Sequence, residues 1–354
     1  MNYNLEIQKI LLKVEQMEKF SDKVVALKEA IQLADQHNDI DWGFDLRLDL
    51  IRKERNTSKC EESFPAFAWI LNASDTNADY FDESDFLWEY KWMFCSAYRN
   101  ASISTEQIMQ IGEDLKSRLV KNGYSLRAYY NVMTGYYLHL RDYAKAQEYI
   151  DLADGEVIDD MTNCPACELD TKVEVLMDTG RVEESLVKAK DLISKKLTCY
   201  SMPFQTFCHF AYKLNKIGDE RAELYFDKAL EEYYAHDSYD SSVGYSMSQL
   251  ICYMYEKKHP DTWEFFSRVC EWQIGAEDIH VYNFSKYMAS MLKDGGTQAL
   301  TLSSQLPYYR SDGTYDLFDL YTHFKQIAYN YADQFDQRND LKGVYRKEVD
   351  EILQ

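Results

Sequence analysis

Glycine and proline are scarce in this chain: of 354 residues, 13 are Gly and 5 are Pro. So few breakers leave little room for the many tight turns of a β-sandwich or barrel. Basic residues are also in deficit, with 39 Lys and Arg against 60 Asp and Glu and a net charge of −21. A field of that sign repels a phosphate backbone and an anionic membrane surface. It favours a protein or a basic peptide as partner, and it equally serves plain solubility. No run of 18 apolar residues occurs, so nothing in the sequence reads as a membrane span. The start, Met1-Asn2-Tyr3-Asn4-Leu5-Glu6, has no basic stretch followed by an apolar core, which argues against a secretory signal. The expected compartment is the cytoplasm, with the eight cysteines kept as thiols. H-E-x-x-H, the phosphate-binding glycine loop, the dinucleotide fingerprint and G-x-S-x-G are all missing.

What fills the chain is polar and apolar alternation at helical spacing, which predicts an all-α fold. Leu5, Ile7, Ile10, Leu11, Val14 and Met17 share one face. Ser21 is a candidate cap for a second helix ending near residue 38, and a third helix is expected over Asp41 to Arg55. The run Phe86-Leu87-Trp88-Glu89-Tyr90-Lys91-Trp92-Met93-Phe94 is apolar on every side and should be central, although Trp88 to Trp92 also suit the wall of a ligand groove. Asn72 to Asn77 reads as a loop, and Ser104-Thr105-Glu106-Gln107 as a capping box. Further helices are expected at about 276–292, 314–335 and 340–353, with breaks at Gly295-Gly296 and Leu306-Pro307.

Between residues 126 and 275 a pattern recurs. One copy runs from Tyr136 through Asp142-Tyr143 to Ala146 and Ala153; the next passes through Thr179-Gly180-Arg181, and the third through Ile217-Gly218-Asp219 to Ala222 and Ala229. The glycines suit the end of the first helix of each pair, and the small residues suit close helix crossings. A unit of this kind must stack on its neighbours to bury its apolar face.

On these residues the chain resembles tetratricopeptide repeats, although its repeats are longer and the usual Trp and Leu-Gly positions are mostly absent. With Cys164-Pro165-Ala166-Cys167 and Thr198-Cys199 it is also similar to a group of bacterial tetratricopeptide-like proteins. The resemblance implies an α-solenoid of antiparallel helix pairs, a tetratricopeptide-like superhelix with atypical helical caps. Residues 1–122 would form a helical N-terminal part of degenerate repeats, 123–275 the repeats, and 276–354 a C-terminal cap. It also implies a concave groove lined by the first helix of each pair. Tyr129, Asn131, Tyr136 and Tyr137 are the candidates for that groove, and packing between repeats accounts for the same residues.

The sharpest local motif is Asn163-Cys164-Pro165-Ala166-Cys167. A C-x-x-C pair needs two more ligands to hold zinc. Cys199 lies about one repeat further on and His236 one more, so stacking would bring them to a common edge about 10 Å apart, within reach of flexible loops. Cys164, Cys167, Cys199 and His236 are therefore the candidate ligands of a structural zinc, with Cys208 and His209 as rivals. Buried thiols and dithiol redox chemistry are the other readings. The acidic groups at Asp75/Asp79/Asp82/Glu83/Asp85 and Asp237/Asp240 lack the Gly and terminal Glu of a calcium loop and read as solvated loops. Three functions remain open: a protein- or peptide-binding scaffold or adaptor, a peptide-responsive regulator with an N-terminal effector-binding part, and a dithiol enzyme.

Overall fold

The structure is a computed structural model and describes residues 2–236 and 239–354; Asp237 of the second acidic group lies outside them. The first six helices are α1 (Tyr3–Gln16), α2 (Phe20–Gln36), α3 (Ile40–Glu54), α4 (Ser63–Thr76), α5 (Leu87–Arg99) and α6 (Thr105–Lys121). The next seven are α7 (Arg127–His139), α8 (Tyr143–Asp154), α9 (Pro165–Asp178), α10 (Val182–Lys188), α11 (Lys190–Ile193), α12 (Phe204–Lys216) and α13 (Arg221–Ala235). Then follow α14 (Gly244–Glu256), α15 (Thr262–Trp272), α16 (Asp278–Leu292), α17 (Leu317–Arg338) and α18 (Val344–Leu353). A two-stranded antiparallel ribbon, β1 (Thr297–Ala299) with β2 (Thr314–Asp316), is the one departure from helix among the described residues. The protein is all-α. No helix is long and apolar enough to cross a membrane among the described residues.

A single backbone device makes the hairpins. Two residues after α7, α9, α12 and α14 the chain enters the left-handed region, at Arg141, Gly180, Gly218 and Lys258. The next N–H then reaches back to a carbonyl five residues earlier, as in Arg181 N to Leu176 O at 2.9 Å and Asp142 N to Tyr137 O at 2.9 Å. This Schellman geometry satisfies carbonyls the helix end would orphan. The same turn recurs at intervals of 39, 38 and 40 residues, which sets the repeat. Gly supplies the conformation without steric cost at two of the four positions.

Consecutive helices pack in pairs, and the first members of successive pairs also touch: α5 on α7, α9 on α12, α12 on α14, α14 on α16 and α16 on α18. This order of contacts fits an α-solenoid. The two larger apolar clusters part between Met161 and Ala166, and a smaller third cluster joins Ala101 to Ile279, Tyr282, Phe335 and Tyr345. A polar clasp bridges the parting: Arg127 donates Nη2 to Glu168 Oε2 at 2.6 Å and Nε to Oε1 at 3.1 Å, and both side chains are about 90 % buried.

Contacts between parts of the chain far apart in sequence bridge the trough expected from the sequence. Arg338 of α17 donates to the carbonyls of Tyr98, Asn100 and Ile103 after α5. Ser58 Oγ donates to Ser241 O and Ser241 Oγ donates to Asn56 O, each at 2.9 Å, and Glu277 N donates to Ser58 O at 2.9 Å. Arg141 Nη2 reaches Glu348 Oε2 of α18 at 2.8 Å.

Several local expectations change. Phe20 opens α2 with Lys19 at the cap position, and Ser21 lies inside the helix. The segment 72–77 is helical to Thr76, because α4 continues until Asn77 leaves helical geometry. The first acidic group is partly structural: Asp75 and Glu83 hold the Arg118 guanidinium, each at 2.8 Å. The Ser104–Gln107 capping box forms as expected, and α5 is central, with Leu87 and Phe94 fully buried.

Close packing of α6 on α5 depends on Gly112, where an added Cβ would lie 2.9 Å from Phe94 Cε2. Overpacking costs about 1–3 kcal/mol, while Ala gains about 1 kcal/mol of helix propensity over Gly. Phe94 has no exposed surface into which to swing, so the steric term wins. Gly112→Ala is expected to lower stability by about 1 kcal/mol, read as a shifted urea midpoint.

Candidate metal centre and central cavity

Cys164 caps α9, with Pro165 in the first helical position, where its missing N–H costs nothing. Cys167 is one turn in, and its N–H points at Cys164 Sγ at 3.4 Å. Cys199 arrives from the turn before α12, where its N–H bonds Met202 O at 3.1 Å. The three sulfurs meet: Cys164 Sγ to Cys167 Sγ is 3.0 Å, Cys167 Sγ to Cys199 Sγ is 3.6 Å, and all lie within 4.8 Å of one another. The Cys167 thiol is pushed far up, first by the hydrogen bond with Cys199 and then by burial. The Cys199 sulfur is drawn well below the usual thiol range, first by the Cys167 hydrogen bond and then, against burial, by the backbone N–H groups of Ser201 and Met202. Lys91, 2 % exposed, fastens the approach loop by donating Nζ to Met161 O at 2.5 Å and Asn163 Oδ1 at 3.1 Å.

This cluster can hold a metal ion. Zinc with sulfur bonds of about 2.3 Å at tetrahedral angles sets its sulfurs about 3.8 Å apart, so the 3.6 Å contact fits as it stands and the 3.0 Å contact needs to open by less than an ångström. His236 is not part of this donor group: it is exposed, and its ring rests on Tyr200 at 5.7 Å and Tyr239 at 4.7 Å between centroids. Aromatic stacking has taken the imidazole that the repeat spacing offered as a fourth ligand. The rivals Cys208 and His209 face the core of α12, where His209 Nε2 lies 3.2 Å from Asp178 Oδ1.

The inner helices surround a cavity of about 880 Å³, lined from α5, α7, α9, α12, α14, α16 and α18, with Tyr143 from the start of α8. From α7 it receives Gly135, Leu138 and His139. The tyrosines expected there face elsewhere. Tyr129 and Tyr136 are each 3 % exposed, the first donating to Glu113 and the second packed on Phe94 and Tyr98. Tyr137 stacks on Tyr149, and Asn131 Nδ2 donates to Glu168 Oε1 at 2.6 Å. The helix is apolar on both sides because it touches neighbours on both, so its periodicity shows no preferred phase.

The wall carries five cations, Arg99, Arg141, Lys213, Lys216 and Lys293. Against them stand Glu174, Asp178, Glu348 and Glu351. Glu174 is held well above the usual carboxylate range, first by burial and then by the Asp178 charge. Asn283 Oδ1 is buried without a hydrogen-bond partner among the described residues. Sequence reasoning missed this wall because its residues come from separate helices with no common motif. No family model, curated protein or solved structure matches the chain.

Proposed function

We propose that this chain is a helical-repeat scaffold that binds a protein or peptide segment in its central cavity, with the three cysteines holding a structural zinc. The observation that carries the reading is the cavity itself: about 880 Å³, walled by seven inner helices, with an unpartnered side-chain carbonyl on Asn283. That volume lies in the range typical of ligand sites, and rigid walls reduce the ordering cost of binding. The net charge of −21 favours a basic partner, but the wall is nearly balanced in sign, so a segment bearing both charges fits it best.

The test is a random peptide library selected on the protein and re-measured on Leu138→Trp, which fills the space beside Gly135. Selected peptides should bind the variant at least tenfold more weakly while its circular dichroism stays unchanged. Peptides that bind both forms equally would place recognition elsewhere.

A further inference from the structure

A second cavity, about 140 Å³, adjoins the first and shares Arg99, Ser242 and His280 with it. It sits between α3, α5 and α16. Its charged lining is Arg55, Lys59 and Arg99 against a single acid, Glu277. In a chain with a net charge of −21 this is a local inversion of sign. Glu277 is already committed: it is 3 % exposed, 3.6 Å from Arg99 and 3.3 Å from His280. The Arg55 guanidinium sits over the Trp92 ring, 4.1 Å from its centroid. Among the described residues neither Arg55 nor Lys59 has an ion pair or a side-chain hydrogen bond. Arg55 is exposed to solvent, and the Arg99 guanidinium is near enough to repel its charge. Stacking on an aromatic fixes the plane of a guanidinium while leaving its N–H fork free.

We propose that this smaller cavity is an oxyanion site, in which Arg55, Arg99 and Lys59 receive the carboxylate or phosphoryl group of a segment lying in the central cavity. Fork-shaped donors match both groups in geometry. An oxyanion between the two guanidinium groups would remove their repulsion, as Glu277 alone does not. The space suits a compact anion with a few waters, each taking about 30 Å³, and is too small for a nucleotide. The identity of the larger molecule rests on the peptide reading above; the anion site does not.

Calorimetric titration at low salt with inorganic phosphate, and separately with one tripeptide carrying a free or an amidated C-terminus, tests it. Phosphate should bind to the intact protein, and Arg55→Gln should weaken it at least tenfold. Arg55 makes no hydrogen bond whose loss would unfold the chain, and Lys59→Gln serves as a second variant with the same direction of effect. Binding of the free-acid tripeptide but not the amide identifies a terminal carboxylate; phosphate alone identifies a phosphoryl group. Failure of both probes, or equal phosphate binding by both variants, overturns the site. Phosphate binding in a protein for which no peptide can be selected would retain the site and refute the peptide reading.

Discussion

Glu348→Gln should loosen the C-terminal closure of the solenoid and destabilise the protein by about 3 kcal/mol. Glu348 sits at the centre of a clasp, with Lys286 Nζ 2.7 Å from Oε1, Arg141 Nη2 2.8 Å from Oε2 and the Tyr282 hydroxyl donating at 3.0 Å. Lys286 is wholly buried, so removing its partner leaves an unpaired charge in the interior. Breaking such a pair costs about 3–5 kcal/mol; the 25 % exposure of Glu348 argues for the lower end. The pH dependence follows from linkage. Burial raises the Glu348 carboxyl, but Arg141 and Lys286 outweigh it and hold it far below the usual range. A depressed acid contributes in full above its unfolded value, about 4.3, and loses that contribution as pH falls toward the folded value. Lys286 acts in another window: burial draws it down to about 8, so the unfolded chain binds more protons between there and about 10.4, and this group makes stability rise with pH across that interval. Hydrogen exchange of residues 340–354 should accelerate below pH 4 in the wild type and already at pH 7 in the variant. Equal protection in both proteins at pH 7 would show that the clasp does not hold the end in place.

Helix existence and order were legible because apolar residues at a 3.6 period can be buried in few other ways. The turns at Gly180 and Gly218 were legible because glycine marks a left-handed position; Arg141 and Lys258 adopt the same conformation with nothing in their side chains to announce it. Cys164 and Cys167 were found by proximity in the chain, and Cys199 by repeat length. His236 obeyed the same spacing and failed for a reason spacing cannot carry, the competing rings of Tyr200 and Tyr239. The cavity face of α7 was misplaced by a rotation: Tyr136 and Tyr137 directly precede Leu138 in sequence, but consecutive residues on a helix diverge by about 100°. The bridging of the trough was invisible. It depends on Arg338, Glu277 and Ser58 meeting partners far away in sequence, and single polar residues carry no periodic signal.

Zinc at the three cysteines should be detected near one equivalent in protein purified without chelator, and Cys199→Ser should abolish it and lower the melting temperature. The three sulfurs come from two successive pairs, α9 with α10 and the turn into α12, so a bound ion would tie neighbouring repeats together. In stacked repeats the interface between nearest neighbours, here α9 on α12, is a large share of local stability. A ligand present at a thousand times its dissociation constant adds about 4 kcal/mol. Three sulfurs leave one tetrahedral position, which water or a partner's donor would complete. Metal binding displaces thiol protons. Cys199 already favours the thiolate, so affinity should weaken on acidification chiefly as Cys167 holds its proton more firmly. Cys164→Ser serves as the second variant, since serine keeps the helix cap that Cys164 provides. Loss of zinc with an unchanged melting temperature would make the ion dispensable for folding. Absence of metal from the wild type after reconstitution with excess zinc under reducing conditions would reduce the cluster to thiols packed at a repeat junction.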